Sequence, residues 1–345
     1  MSSQANDQTI SWGDPNHYYS QALPTQTSGT QRPLSPEEKK IMALLRQFDP
    51  ELRQRVERAF KQWNLTIRDY LRNETALRLS VGGDTQSVPV RIVDGLPKPF
   101  LNNIPKFIEY SWLLLNRMQI KQAAEGLKFI DGKFHLLSEV EDLRPLIATK
   151  DEVHNVSEFF EQLSDRLAKL DFLKSITSIN LDILGAYFYR VPVVEIYWMA
   201  IGIVAAVLGI SVEGLAVAVT VHELAHAYTH LGQDIDKKKW ETDSFSKTDL
   251  RIVEGLAQFY TDTICCKIEG RMPEAIHCFL ELKRHQPEPY QVYAEWIGNS
   301  DRPCEIVRVS MIEGRSRGIT GYDGFTEIVS RHLRNIEGTE LCSAD

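Results

Sequence analysis

A chain of 345 residues with 43% hydrophobic and 25% charged residues can bury a sizeable core, which excludes wholesale disorder. Its formal net charge of −8, from 39 Lys and Arg against 47 Asp and Glu, argues against the broad positive field of a general nucleic-acid binder. Five cysteines (Cys265, Cys266, Cys278, Cys304 and Cys342) form no CxxC pair, which argues against a disulfide scaffold or a cysteine-rich zinc module.

The opening MSSQANDQTISWGD lacks a basic stretch followed by an apolar one, so the expected setting is reducing and cytoplasmic. Residues 1–34 are polar and aperiodic and are expected to form a flexible tail. Order is expected from Ser35, where Ser35-Pro36-Glu37-Glu38 combines an N-cap, a first-turn proline and a glutamate three residues on. Asp49-Pro50-Glu51 predicts a second helix start, and a third helix is expected through Leu65 to Leu77. ALRLSV, GGDT and SVPVRIV then read as a hairpin. A long helix is expected over Ile104 to Leu127, followed by a small hairpin at KFI-DG-KFHLL and an amphipathic helix over 151–170 opened by Asp151. Nothing in this first half points to chemistry.

After residue 180 the character changes. YFYRVPVVEIYW is β-branched and aromatic and predicts a strand, with Pro192 favouring an edge position. IYWMAIGIVAAVLG reads as a buried helix closed by Gly209, and Ser211 caps a further helix that ends at Gly232.

That last helix carries His222-Glu223-Leu224-Ala225-His226, an HExxH pattern. Histidines four apart on a helix lie one above the other and converge on one metal ion. Neutral imidazole suits Zn²⁺, and a carboxylate beside an activated water can take its proton. With 9 His in the chain, the chance expectation for this pattern is only about 0.02 occurrences.

A catalytic site needs a third ligand. His230 is roughly 12 Å from His222 along a straight helix, too far to share an ion. Asp234 and Asp236, just past the helix end, stay as alternatives. Glu254 is the better choice, on a second helix opened by Asp249, where flanking Ile252, Val253, Leu256 and Ala257 predict burial. Gly255 and Ala257 are expected to let two helices approach closely around the metal.

HELAH followed by EGLA after 27 residues resembles the HExxH…ExxA pattern of gluzincin-type zinc metallopeptidases, over His222 to Asp262, about an eighth of the chain. The resemblance implies one zinc per chain held by His222, His226 and Glu254, with Glu223 as general base. It also implies a protein or peptide substrate. Some gluzincins carry an aspartate four residues after the ligand glutamate; here that position is Gln258. For the oxyanion donor, Tyr228, His230, Tyr260, His285, Tyr293 and Tyr322 are candidates that spacing does not separate. The strand YFYRVPVVEIYW is expected either to line the cleft, as edge strands do in zincins, or simply to pack.

Three weaker signals remain. The uncharged run Ile196 to Val212 is short for a membrane span and reads better as core, with a membrane-embedded protease as the competing reading. Lys237-Lys238-Lys239 reads as a solvated turn, and EGRSRGITGYDG (313–324) as a loop with an anion-binding alternative through Arg315 and Arg317. Cys265 and Cys266 read as core.

The expected architecture is α+β and predominantly helical: a tail (1–34), a helical part with small β-hairpins (35–180), and a zincin-like metallopeptidase part with an active-site helix and small sheet (181–345). Neither a nucleic-acid partner nor a membrane is expected. The non-enzymatic alternative is a zinc-stabilised interaction protein.

Overall fold

The computed structural model describes residues 33–79, 88–101, 104–138, 150–168, 183–298 and 300–341. The expected flexible tail and the GGDT turn lie outside the described residues, apart from the last two residues of the tail. Among these residues the fold is predominantly helical with one three-stranded sheet.

The first helix, α1 (Pro36–Phe48), begins with the full capping box: Ser35 Oγ accepts from Glu38 N and Glu38 Oε2 accepts from Ser35 N. The buried Glu38 also accepts from Leu96 N at 2.9 Å, tying the helix start to a distant loop. Next comes α2 (Leu52–Thr75), one continuous helix where two were expected. Its buried residues Val56, Ala59, Trp63, Ile67 and Leu71 recur at three- to four-residue spacing with no glycine or proline to interrupt them.

The sheet runs β1 (Val90–Val93), β3 (Val193–Tyr197), β2 (Gly185–Phe188), with β1 parallel and β2 antiparallel to β3. This corrects two expectations. The second arm of the first hairpin, β1, pairs with β3, while Arg78 of its first arm bridges Gln233. The aromatic stretch is a hairpin rather than one strand. Its register sets Phe188 opposite Val193, so Pro192 sits in the turn, where no ladder donor is required, and β3 is central.

Between β1 and β2 lie α3 (Ile104–Leu115), α4 (Arg117–Ser138) and α5 (Lys150–Ala168). The expected long helix turns at Asn116 and runs on, so Asp131-Gly132 lies inside α4 and makes no hairpin. Short apolar runs such as KFI fit both periods. Here α5 packs along α4 and decides for the helix, with Lys128 bonded to Glu161 at 2.6 Å and His154 to Asp131 at 3.0 Å.

The second half supplies α6 (Trp198–Leu208), α7 (Val212–Leu231), α8 (Leu250–Ile268), α9 (Pro273–Lys283), α10 (Pro303–Ser316) and α11 (Tyr322–Leu341). The run Ile196–Val212 is not a span. It is the end of β3, then α6, then Gly209 in the left-handed region (φ 69°), then the next helix start. Among the described residues no helix is long and apolar enough to cross a membrane.

At the centre lies α7, buried almost end to end and packed against α2, α6, α8, α9 and β2. A helix apolar on every side belongs in the middle of a core. Both its ends are pinned. At the start, Ser211 Oγ accepts from Gly214 N, and Arg55 of α2 grips Glu213 with two 2.7 Å hydrogen bonds. At the other end, the buried Arg315 donates to the carbonyls of Gly232 (2.7 Å) and Lys238 (3.0 Å), where a cation complements the helix dipole. Arg315 therefore lies at the end of α10 rather than in an open loop, and Arg317 is bonded to Glu313. The three lysines do follow a tight turn closed by Asp234, whose carboxylate accepts from Asp236 N and Lys238 N.

Glu313 clamps α10 to α11 through Arg331 and His332, and also bonds Arg317. Burial opposes its ionisation, but Arg331, Arg317 and His332 outweigh that and hold its carboxyl down to about 2. A carboxyl depressed on folding stabilises the fold above its ordinary value of 4.5 and loses that contribution as pH falls toward 2. Thermal melts of Glu313→Gln are therefore expected to lie below wild type at pH 7 and to converge with it near pH 2. A gap of equal size in acid would refute this account of the clamp.

Candidate metal centre

Two helices build the site. α7 places His222 and His226 one turn apart, and their Nε2 atoms approach to 3.1 Å. α8 starts at Asp249, whose side chain accepts from Arg251 N, and this sets Glu254 in the second turn facing α7. Glu254 Oε2 lies 3.3 Å from His222 Nε2 and 3.4 Å from His226 Nε2. The three side chains expose 0%, 3% and 0% of their residues' surface for His222, His226 and Glu254. This group is the one cluster of three metal-capable side chains among the described residues.

The donor set fits zinc. Tetrahedral coordination with bonds of about 2.0–2.1 Å sets neighbouring donor atoms about 3.3–3.4 Å apart, and the three separations observed are 3.1, 3.3 and 3.4 Å. Charge agrees with distance. Burial pushes His222 down to about 4, so its imidazole is neutral near pH 7. Burial works against an ionised Glu254, whereas a proton held on the facing imidazoles of His226 and His222 favours the carboxylate and lowers its pKa. Two buried imidazole nitrogens and a carboxylate oxygen converging on one point are a set that a divalent cation satisfies.

Glu223 is fully buried under β2. A Cβ at Gly185 would stand 2.7 Å from Glu223 Cγ and 2.9 Å from Val219 Cγ1, so the strand can lie on the helix here only because residue 185 is glycine. Two residues on, Tyr187 Oη meets His230 Nδ1 at 2.9 Å. His230 is thus a packing and hydrogen-bonding residue, stacked on Phe245 and touching Thr242, two turns from His222 as helix rise requires. Burial, with Lys239 and Arg315 nearby, lowers it to about 3. Asp234 and Asp236 stay in their turn and do not join the cluster.

Among the six oxyanion candidates, Tyr228 bonds Arg68 O, Tyr293 bonds Asp262, Tyr322 accepts from Trp296, and His285 faces Glu281. Tyr260 is buried with Arg308 and Arg315 among its charged neighbours. A seventh phenol lies beside the cluster: Tyr290, whose buried ring is nearly parallel to His222 (24°) at 6.1 Å. Neither Gly185 nor Tyr290 stands out in sequence, because each earns its position through a contact with a residue far along the chain. Gln258 is also fully buried, and its Nε2 donates to Gln286 Oε1. Gly255 makes room for Trp296, whose Cη2 would stand 2.4 Å from a Cβ at that position. The glycine therefore admits Trp296 and not α7, which corrects the expected reason for it.

Compared with known proteins, the chain matches no family model, no curated protein and no solved structure.

Gly185→Ala is expected to overpack the strand against Glu223 and Val219 at a cost of about 1–3 kcal/mol, read from urea unfolding. Unchanged stability would mean that β2 is not held against α7 as described.

Proposed function

We propose that this protein is a zinc metallopeptidase of gluzincin type, with a zincin-like arrangement of active-site helix and small sheet, acting on a protein or peptide substrate. The observation that carries the reading is the convergence of His222, His226 and Glu254 from two helices at zinc-like separations, with Glu223 in the same turn of α7. Glu223 is not part of that three-residue ligand group, so a structural metal alone gives no reason for a carboxylate there.

Zinc at this site supplies Lewis acidity toward water and toward a carbonyl oxygen. Glu223 takes a proton from the attacking water and returns it to the departing amine. Gly185 of β2 lies close over its side chain, since a Cβ there would stand 2.7 Å from Glu223 Cγ. The edge strand β2, paired on one side with β3, offers its other backbone edge to an extended peptide.

A second reading, a zinc-stabilised interaction protein without activity, is favoured by one observation: His222, Glu223 and Glu254 expose no surface at all. Elemental analysis and a peptide-pool assay separate the two. Wild type is expected to hold one zinc per chain and Glu254→Ala to lose most of it. Glu223→Gln should keep both zinc and fold, and lose hydrolysis by about 10²–10⁴-fold. One zinc with no hydrolysis by wild type favours the second reading. A folded wild type that takes up no zinc overturns both.

A further inference from the structure

We propose that residues 286–297, between α9 and α10, form a strap that closes the metal centre, so that the fold described is a latent form and displacement of the strap admits ligand and substrate. This rests on the metal-centre reading of His222, His226 and Glu254.

The strap lies along one face of α8. Gly255, Gln258 and Asp262 recur there at three- and four-residue spacing, and each is engaged. Trp296 and Val292 fill the notch at Gly255, the residue next to Glu254. Gln286 accepts from Gln258, one turn beyond Glu254. Tyr293 donates to Asp262 at 2.6 Å and itself accepts from Lys283. From the middle of the strap, Tyr290 sets its ring against His222. The strap thus reaches one ligand directly and touches the surroundings of another. No surface of either is left for a polypeptide to approach.

β2 lies over Glu223, the residue next to His222. That strand is held in register by β3, so moving it breaks a sheet ladder. The strap has only a 3-10 turn (Glu288–Tyr290) and a one-turn helix (Tyr293–Ile297), and most of its anchors to α8 are side chains. It is followed by Gly298 at φ 48°, a conformation glycine adopts without strain. The strap is therefore the cover that can leave without unpairing the sheet.

The test is the rate at which the zinc-loaded full-length chain gives up its metal to excess chelator, read with a zinc indicator dye. Gating predicts slow release from wild type that becomes independent of chelator concentration, because opening limits it. Trp296→Ala is expected to accelerate release about tenfold or more. Tyr293→Phe, which removes one anchor and keeps the ring, gives a smaller acceleration and carries the test if Trp296→Ala does not fold. Two controls report other routes: Leu45→Ala in the α1 core for global unfolding, and Tyr187→Phe for loosening of β2. Both are expected to leave the rate within about twofold of wild type.

Fast wild-type release that grows in proportion to chelator overturns the strap. Equal acceleration by Leu45→Ala, or acceleration by Tyr187→Phe with none from the strap variants, does so too. Zinc stoichiometry is measured before release, so a chain that binds no metal is recognised as a failure of the underlying metal-centre reading.

Discussion

Two imidazoles and a carboxylate meet between α7 and α8 in a place that solvent does not reach. Burying such a set without compensation is costly, because each polar atom loses water and the carboxylate loses its charge partner. Everything around the site follows from holding these atoms together. An apolar helix passes through the middle of the core, a second helix is capped so that its second turn faces the first, and small residues stand wherever another element comes close.

The pinning of α7 shows how distant parts of the chain serve this one contact. Its first turn is gripped by Arg55, and that arginine also bonds Asp49 at the start of α2. Its last carbonyls are held by Arg315 from α10. β1, from the first half, completes the sheet whose other edge lies on Glu223, and Asp94 at its end binds both Trp198 and Arg53. Nothing in the sequence of the first half points to chemistry, yet its described residues form one continuous hydrophobic cluster with those of the second.

Much of the site was legible in sequence because its signals are local. His222 and His226 share a face by helix geometry alone, and Ser211, Gly209 and Asp249 mark helix ends through bonds to their immediate neighbours or backbone preference. Glu254 could be chosen over Asp234 and Asp236 because apolar flanks predict a buried helix, whereas the aspartates follow a helix end. The failures share a cause as well. ALRLSV and SVPVRIV read as hairpin partners because they are adjacent, and Asp131-Gly132 read as a turn because that dipeptide favours one. In each case a partner far along the chain, β3 or α5, outweighed the nearest neighbour.

By itself, then, the sequence determined the helices around the site, their caps and which histidines share a face, since i, i+4 spacing and capping need only consecutive residues. Tertiary structure decided what covers those residues: a glycine on an edge strand over Glu223, a tyrosine against His222, a tryptophan beside Glu254. Such contacts join segments tens of residues apart. They form only where the packing of many side chains brings the elements together, and no local pattern records that sum.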